Sequence, residues 1–307
     1  MRPVLLGPAW TMVLVGHSRA RGYGFGEGSG RLGMVLVLFS LLMGGIYILN
    51  QVNDLEADRL NHKLFLLADG WLSIKSALFQ GWGLLTLAVA GAFYLQWKLG
   101  MLLLASMGLG MAYNAKGWGW KGKPIWGLVA NMVGFGFLAF AIGWMAASSE
   151  FGWKTVWYSI PYPFAIGAVY GNTTVLDAEG DREVRKKTLA GRFGIRRTLW
   201  LGVVFVACAV GAAWVLGDRI MLLTGGIALA LLGWMMVRTN NVRGRTENVC
   251  GAREEQAIDQ ASKGAILALS LRMAWTYPWY LVLMGGTFLG SRWYYRKRFG
   301  MRYPRLR

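Results

Sequence analysis

The chain has 307 residues, of which 55% are hydrophobic and only 16% charged. That charge content is well below the roughly 25% usual for soluble domains and, with 16 Trp and 43 Gly, points to a polytopic membrane protein. The net charge of +18 would suit nucleic acid, but basic loops flanking membrane spans explain it better, and no nucleic-acid partner is expected. Cys208 and Cys250 form no disulfide framework, and with only His17 and His62 a histidine-rich metal site is excluded. A transmembrane helix needs about 20 mostly apolar residues. In chain order, spans are expected at 4–16, 33–53, 77–97, 99–113, 125–147, 155–175, 199–217, 220–237 and 265–290. The opening "MRPVLLGPAWTMVLVG" reads as a short first helix rather than a signal peptide, because its basic region is minimal and its cleavage site poor.

Lys and Arg counts orient these spans. With an internal N-terminus, inside segments hold 19 basic residues and outside segments 6. The tail "RWYYRKRFGMRYPRLR", over 291–307, then places 7 more on the outer side. That conflicts with positive-inside topology unless the tail is interfacial or the last span re-entrant.

Acidic residues are clustered. Eight of the 15 occupy two windows: Asp54, Glu56, Asp58 and Asp69, then Asp177, Glu179, Asp181 and Glu183. At a fixed offset of 123 residues, nine positions are identical without a gap. They are Gly44/Gly167, Tyr47/Tyr170, Val52/Val175, Asp54/Asp177, Glu56/Glu179, Asp58/Asp181, Arg59/Arg182, Lys63/Lys186 and Leu66/Leu189. Apolar matches between membrane helices are common, but a shared Asp-x-Glu-x-Asp-Arg-x-x-x-Lys is not. The expected fold is therefore all-α: about nine transmembrane helices around a central cavity, as two pseudo-repeated four-helix halves (roughly 1–124 and 125–245) plus a final helix. Both copies enter the same side of the membrane, so the repeat is parallel.

On a helix, residues four apart share a face. Asn50, Asp54 and Asp58 form one polar stripe; Asp177 and Asp181 form another. Carboxylates this close repel unless a cation lies between them. Oxygen ligands so spaced suit Mg²⁺ bridged to a substrate phosphate. Two facing stripes would hold two or three ions and a diphosphate. Glu56 and Glu179 point elsewhere. Arg59, Lys63, Arg182, Lys186 and Lys187 follow the stripes and can meet the remaining phosphate oxygens. The loop "YNAKGWGWKGKP" adds Tyr113, Asn114, Lys116, Lys121 and Lys123; its Lys side chains are phosphate contacts or a solvated loop. An apolar cavity below a bound diphosphate implies a lipid diphosphate, whose departure from an allylic carbon leaves a cation. Tyr47 and Tyr170, one to two turns into the membrane from the acids, could stabilise that cation or serve as interfacial aromatics.

"NQVNDLEADRLNHK" resembles the first Asp-rich motif of UbiA-type membrane prenyltransferases at Asn50, Asp54 and Asp58. "LDAEGDREVRKKTLAGRFG" resembles the second at Asp177 and Asp181, and Lys187 to Gly194 also fits. The resemblance continues through "MAYNAKGWGWKGKPIWGLVANMVGFGFLAF" and weakens after about residue 240. It implies a nine-helix fold whose cavity opens sideways to lipid, and Mg²⁺-dependent transfer of a prenyl chain from its diphosphate to an acceptor. Asn50, Asp54, Asp58, Asp177 and Asp181 would hold the metal and diphosphate. Thr174 and Leu64 stand where many members carry Asp and Pro, which leaves the acceptor subclass open.

The expected activity is transfer of a polyprenyl group to an aromatic or quinone-precursor acceptor, at the cytoplasmic side of the cell (inner) membrane. A glycerol-phosphate lipid or a tetrapyrrole acceptor is the alternative within the same chemistry. A transporter or lipid-binding scaffold is the alternative from another class. A CDP-alcohol phosphotransferase would need Asp-x-x-Asp-Gly-x-x-Ala-Arg upstream, which 155–181 lacks.

Overall fold

The computed structural model describes residues 3–23, 30–55, 65–115, 119–178, 181, 187–239 and 251–301. Among them every regular element is helical. They are α1 (Leu6–Ala20), α2 (Gly30–Asn53), α3 (Phe65–Ala68), α4 (Ile74–Leu95), α5 (Trp97–Asn114) and α6 (Pro124–Ala147). There follow α7 (Trp153–Ser159), α8 (Pro161–Leu176), α9 (Leu189–Phe193), α10 (Ile195–Val215), α11 (Arg219–Thr239), α12 (Ala252–Thr276) and α13 (Trp279–Phe299). Five of them, α2, α4, α6, α10 and α11, are by themselves long and apolar enough to cross a bilayer. The protein is an integral membrane protein.

The helices recur with the acidic motifs. Carried 123 residues forward, α2 lands on 153–176, where α7 and α8 run. The four-residue α3 lands on 188–191, at α9. Likewise α4 falls over α10, and α5 falls inside α11. Packing repeats too: α2 lies along α4 as α8 lies along α10, and α4 lies along α5 as α10 lies along α11. One large apolar core runs through both halves, from Leu6 to Tyr280, and a second lies within residues 168–261.

The halves meet where α1 crosses α6. A Cβ on Gly16 would lie 1.9 Å from the Phe140 carbonyl oxygen, and one on Gly143 1.8 Å from that of Val13. Each glycine stands three residues beyond the partner helix's equivalent of the carbonyl it meets. That reciprocity marks a local pseudo-twofold axis between two parallel helices. Only glycine permits backbones to approach so closely.

Two expected spans are broken at prolines. Residues 155–175 bend at Ile160, where Pro161 opens α8. Residues 265–290, expected as one span, are the end of α12 and the start of α13. Tyr277 leaves the helical region at φ −129, ψ 82, the conformation favoured before a proline, and Pro278 starts a new helix. This reversal settles the tail. Its Tyr280 hydroxyl donates to the Gly7 carbonyl at 2.8 Å, Met284 touches Gly7, and Phe299 stacks edge-on against Trp71 at 5.3 Å. Trp71 follows α3, on the face where α2 ends. Arg292, Arg296, Lys297 and Arg298 are thus carried to the motif side, and their conflict with the positive-inside pattern disappears.

Candidate functional site

The first motif sits on the fraying end of α2. The Asp54 amide still donates to the Asn50 carbonyl at 2.9 Å, which keeps both side chains on one face. Lys121 reaches back from the loop before α6. Its ammonium donates to Asn50 Oδ1 at 3.2 Å and pairs with Asp54 Oδ2. The second motif repeats that geometry. Asp177 caps α8, its amide on the Thr173 carbonyl, and the Asp181 amide donates to the Asp177 carbonyl at 2.9 Å.

Tyr113 and Tyr170 join the two stripes. Each hydroxyl is within hydrogen-bonding reach of the other, and Tyr113 also of Asn131. Tyr113 feels the charge of Asp54 from the first stripe and of Asp181 from the second. Tyr170 can come this close because residue 127 is glycine: a Cβ there would lie 2.4 Å from the Tyr170 hydroxyl.

Beneath Asn50 lies a cavity. Phe39, Met43, Ile46, Leu109 and Phe135 make its walls apolar; Tyr47, Asn50, Tyr113, Asn114 and Asn131 give it a polar roof. Asn114 Nδ2 donates to the Gly110 carbonyl at 2.9 Å, while its buried Oδ1 has no partner among the described residues. The wall from Met132 to Leu138 is π-helical, a distortion common at functional sites, and it turns Gly134 and Phe135 to the cavity.

Of the expected site residues, Tyr47, Asn50, Tyr113 and Asn114 line this cavity, Asp54 adjoins Asn50, and Tyr170 adjoins Tyr113, with Asp181 acting on both tyrosines. Asp58, Arg59, Lys63, Lys116, Arg182, Lys186, Glu56 and Glu179 lie outside the described residues. Lys123 and Lys187 are exposed. It is Lys121, two residues before Lys123, that touches the first motif. Asn131 was missed by sequence reasoning, although an amide inside an apolar span is itself a signal.

No group of three His, Cys, Asp or Glu side chains is assembled among the described residues. The donor set nevertheless fits a hard cation. Asn50 and Asp54 offer neutral and anionic oxygens to one point, and a cation, the Lys121 ammonium, already sits there.

Residues 9–254 match the model of the UbiA prenyltransferase family. The chain belongs to that family. Among curated proteins it is 28% identical over 201 residues to the chloroplastic 2-acyl-4-prenylphloroglucinol 6-prenyltransferase of Humulus lupulus, covering 59% of this chain and 46% of the relative. It is 26% identical over 217 residues to the homogentisate phytyltransferase of Synechocystis, covering 63% and 68%. The chain therefore spans about half the length of the first relative. Among solved structures, a UbiA homologue of Archaeoglobus fulgidus bound to GPP and Mg²⁺ superposes with a TM-score of 0.63 at 22% identity, covering 88% and 98% of the two chains. An apo UbiA homologue of Aeropyrum pernix K1 gives 0.66 at 12%, covering 87% and 96%. These similarities establish the UbiA fold. α13 lies beyond the residues the family model matches.

Proposed function

We infer that this UbiA-family protein transfers a polyprenyl group from a polyprenyl diphosphate to a lipophilic aromatic acceptor and releases diphosphate. The observation that carries this reading is an apolar cavity roofed by Tyr47, Asn50 and Tyr113, with Asp54 of the first motif beside Asn50 and with Tyr170 and Asp181 of the second repeat acting on Tyr113. Asn50, Asp54, Asp58, Asp177 and Asp181 would hold Mg²⁺ and, through it, the diphosphate. When bound, Mg²⁺ neutralises charge on the departing diphosphate. The other work falls to the chain's own side chains. Arg59, Lys63, Arg182, Lys186 and Lys187, with Lys121 beside the first stripe, meet phosphate oxygens. Lys123 was expected in that role, but its exposed position makes Lys121 the stronger assignment from this loop.

In the reaction the C1–O bond of the donor breaks and its electron pair leaves with diphosphate. The allylic cation is faced by the Tyr47 and Tyr113 rings, with Tyr170 behind Tyr113, and shielded from water by Phe39, Met43 and Phe135. A ring carbon of the acceptor forms the new C–C bond, and the proton it loses passes to the released diphosphate. Asn114 Oδ1 is an unused acceptor for an acceptor hydroxyl. The aromatic acceptor is supported by both named relatives, whose names describe transfer to a phloroglucinol and to homogentisate. The site would face the cytoplasm, since the basic end of α13 joins the basic loops on the motif side.

The test uses the full chain in detergent or nanodiscs, with Mg²⁺, radiolabelled polyprenyl diphosphates of several lengths and a panel of phenolic acids. Diphosphate release dependent on both a phenol and Mg²⁺ is expected. No product with any acceptor, together with unchanged diphosphate binding in Asp54→Ala, would favour a transporter or lipid-binding scaffold.

A further inference from the structure

The chain contains a second cavity, and the repeat relates it to the first. It lies between α8, α11 and α12, closed on one side by α1. Those three helices follow α2, α5 and α6, the walls of the first cavity, by the repeat interval. The correspondence reaches individual side chains: Tyr162, Ile166, Val169 and Leu232 line the second cavity, and Phe39, Met43, Ile46 and Leu109, each 123 residues earlier, line the first. α8 divides the two spaces. Its Tyr170 turns to Tyr113 and Gly127, while its Asn172 lines the second cavity.

The second cavity differs in chemistry. No charged side chain lines it. Its space exists because three helices meet there through small residues, Ala165 on α8, Gly225 and Ala228 on α11, and Ala261 and Ala265 on α12. Asn172 is 2% exposed; its Nδ2 donates to Ser262 Oγ at 3.0 Å, but its Oδ1 has no hydrogen-bond partner among the described residues. Beside that oxygen stands Gly202, where even a Cβ would come within 3.4 Å. A buried amide oxygen left without a donor is costly unless something supplies one.

We propose that this cavity is a second binding site, for an uncharged lipophile bearing a single hydroxyl, such as a prenyl alcohol or an alkylphenol, whose hydroxyl donates to Asn172 Oδ1. The apolar body takes the place that the first cavity offers to a prenyl chain. The absence of charge in the lining excludes a diphosphate. This assignment does not depend on the proposed reaction, and its test reads binding alone.

The full-length protein in micelles is photolabelled with three diazirine probes: a prenyl alcohol, an alkylphenol and the hydrocarbon that lacks the hydroxyl. Saturable crosslinks within Met221–Leu232 and Ala261–Leu269 are expected. Asn172→Leu should weaken the hydroxyl probes about tenfold and leave the hydrocarbon unchanged, the loss of one buried hydrogen bond. Ala228→Trp should remove all three. If that variant does not fold, Asn172→Leu still decides, with its melting transition checked. Asp54→Ala should leave this labelling intact, which separates the site from the diphosphate site. Labelling that does not saturate, or that spreads evenly over lipid-facing Leu223 and Ile227, would overturn the proposal. So would an equal loss of alcohol and hydrocarbon in Asn172→Leu. Comparison of the alcohol with the phenol identifies which source of the hydroxyl fits.

Discussion

Both ends of the helix bundle hold a carboxylate paired with a cation, and the two pairs are built to opposite purposes. At the motif end, Asp54 and Lys121 are 21% and 29% exposed, and neither has a second ionic partner among the described residues. At the far end, Asp218 is fully buried and Arg19 nearly so. Asp218 Oδ1 accepts from the Ile220 and Met221 amides and so caps α11, while its Oδ2 accepts from Tyr162 at 2.7 Å. Arg19 donates to the Leu216 carbonyl at 2.6 Å and lies over the Tyr23 and Tyr158 rings. Burial and the Asp218 charge push the Tyr23 phenol up to about 12, so it stays protonated and donates to the Gly217 carbonyl. Both Asp218 oxygens accept hydrogen bonds there. The far pair fastens α1, α8 and the α10–α11 turn together; the motif pair, on the proposed function, would be exchanged for a ligand.

The largest effects should separate these purposes. Asp54→Ala should lower prenyl transfer by about 10³-fold, the several kcal/mol that a metal clamp supplies. Its thermal midpoint should barely move, because the side chain is partly exposed. Transfer assays beside differential scanning of the same preparation check both halves, and retained activity would sink the metal–diphosphate assignment. Asp218→Ala should do the reverse. Leaving the Arg19 charge buried and unpaired costs about 3–5 kcal/mol, while activity per folded molecule holds. The double variant Arg19→Met, Asp218→Asn should recover part of that loss. A single Asp218→Ala as stable as the parent would mean the far pair is no staple.

The contrast was only half legible in the sequence. The motif end could be read because its polar identities recur at 123 residues in segments that are otherwise apolar. The far end could not, because Arg19 and Asp218 are 199 residues apart and neither belongs to a pattern; only the folded path of α1 past the α10–α11 turn joins them. Lys121 was visible as one of three Lys in its loop, but which of them reaches Asn50 depends on how Trp120–Gly122 turns ahead of Pro124. The end of the fold was misjudged for a simpler reason. Hydropathy runs unbroken from 265 to 290, so the break at Pro278 was absorbed into one span, and the basic tail was put on the wrong side.

The crossing of α1 and α6 belongs with the far pair, as a place with no room to adapt. Gly143→Ala would drive a Cβ onto the Val13 carbonyl and should destabilise by about 1–3 kcal/mol. Gly211→Ala, in mid-α10 with open space beside it, should instead stabilise by up to about 1 kcal/mol. Matched unfolding curves test the pair, and similar shifts for both would contradict the close approach.

The smallest effect sharpens the motif end. In the absence of ligand the Lys121 ammonium fills the place between Asn50 and Asp54 where a metal ion would bind. A partly exposed ion pair adds at most about 1 kcal/mol, so Lys121→Met should leave stability alone. It should tighten metal binding to the free protein, measured by Mn²⁺ titration with electron paramagnetic resonance, since nothing then competes for the two oxygens. Diphosphate affinity should move the opposite way, falling about tenfold as one charge-assisted hydrogen bond is lost. The two shifts would have opposite signs because one side chain would serve both states: it pairs with Asp54 in the structure and would turn to phosphate once a metal took its place. A lysine that merely solvates its loop would move neither titration.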